Sequence, residues 1–277
     1  MKSLKPRILT AVFGIALLIA VLIIGEIWLP LFSILIGLAS SFMVGEYLHA
    51  KNLLKRYSLS VPCLIFPFAL SLLIDTRFVY LLLTLFFLVA FAVMISGHKK
   101  ISYIDLAYSV TGTLLISFGM CSISLICSTG IGVAFYFVTI FALPWMADAG
   151  GFFIGGLFGK HKLCPNISPK KTVEGAVGGV LFCIASAILI GVIFQFIIMP
   201  NVKINFWVLL LLGVVDAPVS ILGDLSFSLI KRSLGIKDYG SIFPGHGGML
   251  DRFDSIIFTA PVIVLINQFI PFITAVV

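Results

Sequence analysis

"FVYLLLTLFFLVAFAVMIS", residues 78 to 96, runs from end to end without a charged side chain. A helix needs about 20 mostly apolar residues to cross ~30 Å of hydrocarbon at about 1.5 Å per residue. This stretch has that length, and water would be a poor solvent for it. The whole chain agrees. Of its 277 residues, 61% are hydrophobic and 10% charged, with a mean hydropathy of +1.22. A soluble domain is about a quarter charged.

Working outward, comparable runs lie near 8–25, 27–45, 61–74, 104–128, 131–150, 173–199, 205–229 and 255–275, making nine in all. An outer-membrane barrel would instead show ~10-residue segments of alternating polarity, and none is present. The expected fold is an all-α polytopic membrane protein with about nine transmembrane helices. The first run follows a basic arm, as in a signal peptide. It is long, however, and no clean small-x-small cleavage site follows, so it reads as a retained helix.

The loops test that count, because lysine and arginine collect on the cytoplasmic side. One set of alternate loops holds Lys2, Lys5 and Arg7, then Lys51, Lys55 and Arg56, then Lys99 and Lys100. The same side continues with Lys160, Lys162, Lys170 and Lys171, then Lys231, Arg232, Lys237 and Arg252. Only Arg77 and Lys203 fall opposite, so 16 of 18 basic residues share one side. The N-terminus is expected in the cytoplasm. The formal charge of +7 is then mainly a topology signal, and no nucleic-acid partner is expected. The five cysteines, Cys63, Cys121, Cys127, Cys164 and Cys183, have no C-x-x-C spacing and read as small packing residues.

Polar chemistry gathers in the C-terminal half. Residues 1–130 read as structural, lipid-facing helices, and 131–277 as the catalytic region, with cytoplasmic loops 158–172 and 230–254. Asp148, Glu174, Asp224, Asp238, Asp251 and Asp254 lie in or beside those loops. A carboxylate near hydrocarbon costs roughly 2.5 to 3.5 kcal/mol at a helix centre, so each needs a partner or a purpose. On a helix, Asp224, Ser228, Lys231 and Arg232 share one broad face, and Asp251 and Asp254 share another. Gly245, Gly247 and Gly248 allow a tight turn whose N–H groups approach a ligand. Carboxylates mixed with lysines and arginines suit a polyphosphate and its hard divalent cation. His246 has no zinc-like spacing and fits phosphate contact or loop structure better than metal ligation. In 158–175, Ser168 and Pro169 read as an N-cap and first turn, placing Lys170 and Lys171 at a helix N-terminus suited to an anion.

The segment "SLIKRSLGIKDYGSIFPGHGGMLDRFD", residues 228 to 254, closely resembles the signature of the phosphatidate cytidylyltransferase (CDP-diacylglycerol synthase) family. Its Ser-x-x-Lys-Arg, Lys-Asp, His-Gly-Gly and Asp-Arg-x-Asp positions are all filled. The Gly-Asp-Leu before it and "ISPKKTVEG" at 167–175 are also similar, so the resemblance covers most of 145–260. Phe227 and Gly156 depart from it, standing where many members carry Glu and Arg.

The resemblance implies an enzyme of a bacterial inner membrane, facing the cytoplasm. It would join CTP to phosphatidate, giving CDP-diacylglycerol and pyrophosphate. It further implies Mg²⁺ at Asp224 and Asp251, with Asp254 a third ligand and room for an additional cation. Lys231, Arg232, Lys237 and Arg252 would neutralise phosphates, and Lys170 and Lys171 would hold a second anionic group. Ser228, Asp238, His246, Gly247 and Gly248 would complete substrate binding, and Asp148 would contact the nucleotide. A homodimer is compatible with such an enzyme. Asp216 would line the cavity or pair with a neighbouring helix. A transporter of an anionic phosphate compound is the rival reading, suggested by Asp216 and Asp224 within apolar helices. A CDP-alcohol phosphotransferase wants Asp-Gly-x-x-Ala-Arg, which is missing.

Overall fold

The computed structural model describes residues 4–129, 132–243 and 247–275. Among them are nine α-helices: α1 (Leu4–Ile27), α2 (Leu29–Ala50), α3 (Tyr57–Leu73), α4 (Val79–Ser96), α5 (Tyr103–Cys127), α6 (Val133–Phe158), α7 (Val173–Ile193), α8 (Phe206–Ser233) and α9 (Leu250–Phe269). Each apolar run of the sequence coincides with one of them for most of its length. Six segments of the described residues, α2, α4, α5, α6, Val173–Ile198 and α8, are long and apolar enough to cross a membrane. The opening stretch, α4, exposes Tyr80, Leu81, Leu85, Leu88, Phe91 and Ile95. A helix apolar all round and exposed on most of its surface has lipid as its natural neighbour.

The chain divides into two compact units that interleave in sequence. The first comprises residues 1–128 and 233–253. Here α2 packs on α3 where Gly37 leaves room: a Cβ there would stand 3.1 Å from Phe68 Cα. Gly112 of α5 likewise admits the ring of Tyr47, which stacks on Tyr108 at 4.2 Å. Polar contacts close the ends of these helices. Ser102 and Asp105 form a capping box on α5, and Asp105 pairs with Arg56 at 2.6 Å and Lys51 at 3.0 Å. Those two basic residues therefore have a structural partner.

The second unit comprises residues 129–232 and 254–277. Its closest helix pair is α6 with α7, packed through small residues four apart: Ala147, Gly151 and Gly155 on one, Gly175 and Gly179 on the other. Without a hydrophobic force between helices in lipid, close backbone approach supplies the dispersion contacts that hold such pairs. A Cβ at Gly150 would stand 2.5 Å from the Gly178 carbonyl oxygen. Two antiparallel strand pairs complete the unit: the hairpin of β1 (Lys162–Cys164) with β2 (Ser168–Thr172), and β3 (Val202–Ile204) with β4 (Ile273–Ala275), which α8 and α9 separate in sequence. The ninth apolar run thus ends as a strand, its helix stopping at Phe269.

Candidate active site

The loop at 158–172 corrects one expectation. Ser168 does not cap a helix; it begins β2, and Lys170 and Lys171 lie on that strand. The cap is Thr172, whose hydroxyl accepts from the Gly175 N–H at 3.1 Å, and α7 starts at Val173. Thr at an N-cap satisfies one orphan donor as Ser would, so the local residue types did not decide between them. The β1–β2 pairing did, by extending Ser168–Thr172. His161 then closes the hairpin onto the helix, its Nδ1 lying 2.6 Å from Glu174 Oε1.

That strand places Lys171 Nζ 2.5 Å from Asp224 Oδ2 of α8. The contact is an ion pair without hydrogen-bond alignment, and it joins two polar segments far apart in sequence. Asp224 also accepts from Ser228 Oγ at 3.4 Å, as their four-residue spacing on one helix face requires. Gly223 lets α9 approach: a Cβ there would stand 2.9 Å from the Asp254 carbonyl oxygen. Asp254, buried, receives the Ser255 N–H at 2.8 Å on Oδ1. The charges of Asp224, Lys231 and Asp148 all lie close enough to act on it. The second unit thus gathers Asp148, Lys171, Asp224, Ser228, Lys231 and Asp254. Lys231 is 8% exposed and, with Arg232, lies in the last turn of α8, where cations also complement the helix dipole.

Beside this cluster is a cavity of about 510 Å³. Asp148, Lys170 and Lys171 border it, and Phe153, Leu157, Leu163 and Ile221 supply apolar wall. Gly156 borders it too, and a Cβ there would meet nothing within 4 Å. Space for a larger side chain therefore exists at Gly156, where many members of the resembled family are expected to carry Arg. Phe227, the other departure, is fully buried and packs edge-on against Phe258. Asp216 is not among the residues lining this cavity. It is fully buried, and neither carboxylate oxygen has a hydrogen-bond partner among the described residues.

In the first unit, Asp251 Oδ2 accepts the Tyr239 N–H at 2.8 Å and the Gly248 N–H at 2.9 Å. Gly247 has φ +85°, and a Cβ there would stand 2.9 Å from Asp251 Oδ2 and 3.3 Å from Asp238 Oδ1. The glycines therefore fold the turn around the protein's own carboxylates, and the N–H of Gly248 is used internally. Lys237, Asp238 and Arg252 are exposed on this segment. His246 lies outside the described residues, as does Gly245. Glu46 of α2, which the sequence reading passed over, also enters here: the Met249 N–H donates to its Oε1 at 3.1 Å and the Leu250 N–H to its Oε2 at 2.7 Å. A lone acid near the end of an otherwise apolar helix was the available signal.

Among the described residues, no three His, Cys, Asp or Glu side chains gather closely enough to cage a metal. Mg²⁺ typically needs one or two carboxylates, with water and substrate phosphates completing its shell. The Asp224 and Asp254 pair fits that donor set.

The chain matches the cytidylyltransferase family over residues 5–270. It is 34% identical over 272 residues to a phosphatidate cytidylyltransferase of Staphylococcus epidermidis, covering 94% of this chain and 97% of that one. It is 32% identical over 270 residues to the protein of the same name from Staphylococcus haemolyticus, and 33% identical over 273 residues to that of Staphylococcus aureus. Both alignments again cover 94% of this chain and 97% of the relative.

Proposed function

The chain belongs to the cytidylyltransferase family, and on that premise we propose that it transfers the cytidylyl group of CTP to phosphatidate, yielding CDP-diacylglycerol and pyrophosphate. The transporter reading is not favoured by relatives that carry an enzyme's name. The observation that best supports the assignment is the cavity of the second unit. It offers apolar wall to a lipid and two lysines to its phosphate, beside the ion pair of Lys171 with Asp224.

In this mechanism a phosphate oxygen of phosphatidate attacks the α-phosphorus of CTP in line. The bond from that phosphorus to the bridging oxygen breaks, and pyrophosphate leaves with the electron pair. The phosphate monoester is already anionic, so no strong general base is needed. Alignment and charge neutralisation dominate such transfers. Lys170 and Lys171 hold the lipid phosphate, Lys171 exchanging its pairing with Asp224 for the incoming anion. Lys231, Arg232, Lys237 and Arg252 neutralise the nucleotide phosphates, with Ser228, Asp238, His246, Gly247, Gly248 and Asp148 around the nucleotide. Asp224, Asp251 and Asp254 are the proposed residues that would hold Mg²⁺, which when bound would supply Lewis-acid neutralisation of phosphate charge.

The membrane arrangement proposed has all nine helices spanning, with the N-terminus and the site on the cytoplasmic side. The loop distribution of lysine and arginine supports it. Purified protein supplied with CTP, phosphatidate and Mg²⁺ should form CDP-diacylglycerol and an equal amount of pyrophosphate. No product from folded protein would refute the assignment.

A further inference from the structure

Glu46 sits near the end of α2, 9% exposed, and nothing in its own helix accounts for a buried carboxylate there. Its partners come from the other end of the chain, 203 and 204 residues on: the Met249 N–H reaches Oε1 and the Leu250 N–H reaches Oε2. Those donors belong to the start of α9, where backbone N–H groups lack intrahelical acceptors and the helix dipole favours a negative charge. A cap of this kind is normally supplied by the residue beside the helix. Here it is imported from α2.

The glycines of the segment are shaped to this carboxylate. A Cβ at Gly248 would stand 2.5 Å from Glu46 Oε1, and one at Gly240 would overlap that oxygen outright. Glu46 therefore lies between two backbone stretches, one around Gly240 and one at Gly248–Leu250. Asp251 spans the same two stretches from its own side, through the N–H groups of Tyr239 and Gly248. Tyr47, the next residue of α2, packs its ring against Tyr239 at 6.0 Å. The turn that sets the direction of the Asp251 carboxylate is thus held from α2 by Glu46 and its neighbour, all within the first unit.

We propose that Glu46 is a positioning residue of the cytidylyl transfer: its two-oxygen grip on the Met249 and Leu250 N–H groups fixes the glycine-rich turn and, through it, the aim of Asp251. This rests on the reading of the chain as a cytidylyltransferase with Asp251 in its site. Glu46 touches no reacting atom; it acts through backbone. Substituting Gln keeps the size, removes the charge and turns one acceptor into a donor that faces a donor. Asp keeps the charge but is one methylene short.

The test compares wild type, Glu46→Gln and Glu46→Asp as full-length protein in detergent with phosphatidate. Two readouts are taken: turnover as a function of CTP and Mg²⁺, and hydrogen–deuterium exchange of peptides covering 239–254. For Glu46→Gln, kcat should fall about tenfold or more, half-maximal activity should need several times more Mg²⁺, and the peptide should exchange faster. Glu46→Asp should recover part of each. A merely structural role predicts a lower melting temperature with unchanged kcat and Mg²⁺ dependence, which overturns the proposal. Unchanged exchange in the peptide overturns it too, whether or not the wild type turns over. An inactive wild type with faster exchange in Glu46→Gln would instead sink the reaction assignment, and the catalytic part of this proposal with it. Should Glu46→Gln fail to fold, Gly240→Ala, at a residue outside the proposed site, keeps the carboxylate but pushes it off the turn, and the same losses are expected.

Discussion

Lys171 and Asp224 offer a sharp quantitative test, because they belong to different polar segments and meet only through the fold. Their side chains are 21% and 28% exposed, and the charged atoms lie 2.5 Å apart. An exposed ion pair contributes about 0–1 kcal/mol, and a hydrogen-bonded charged contact about 1.5–3 kcal/mol. This pair is partly screened and poorly aligned, so a coupling of about 1 kcal/mol is expected, between those limits. The perturbations are Lys171→Gln, Asp224→Asn and the double change, each read by thermal unfolding in detergent. One kcal/mol corresponds to roughly 2–4 °C in a chain of comparable size, so either single change should lower the midpoint by about that much. The double should lose little more than one single does. Strict additivity, within about 0.3–0.5 kcal/mol, would refute the pairing. Activity should separate the partners: Asp224→Asn should abolish nearly all turnover, whereas Lys171→Gln should lower kcat/KM very roughly tenfold.

Asp251→Asn should lose nearly all turnover and Asp254→Asn somewhat less, with both proteins monodisperse; chelator should silence the wild type and Mg²⁺ restore it, and full activity in chelator would defeat the metal assignment. Cys164 is partly exposed while the four other cysteines are buried. An impermeant maleimide should therefore label Cys164 in inside-out vesicles and spare it in right-side-out ones, and the opposite sidedness would overturn the proposed topology. Gly150→Leu should destabilise the α6–α7 pair by about 1–3 kcal/mol or more through overpacking, so wild-type thermal stability in that variant would contradict the close backbone approach described.

The signature at 228–254 was legible because its chemistry is local: charged residues in a lipid-solvated chain are expensive, and their spacing shows which share a helix face. Asp224 and Ser228 met on α8 for that reason. The start of α7 was misplaced because Ser168 and Thr172 are both competent caps. Only the strand partner Lys162–Cys164, which pairs with Ser168–Thr172, selects the second.

What the amino-acid order determined by itself was the helical architecture and the family. Hydrocarbon imposes a length and a polarity on every crossing segment, and each of the nine apolar runs coincides with a helix of the described residues. Tertiary structure decided which distant groups meet. Lys171 pairs with Asp224 because a hairpin carries the strand to α8, and Glu46 grips the turn before α9 across more than 200 residues of chain. No periodicity encodes such contacts, since the energy that selects them exists only after the helices have packed. Gly248, read from the sequence as part of a tight turn beside a ligand, also leaves room for a carboxylate of α2, as does Gly240, which the sequence did not single out.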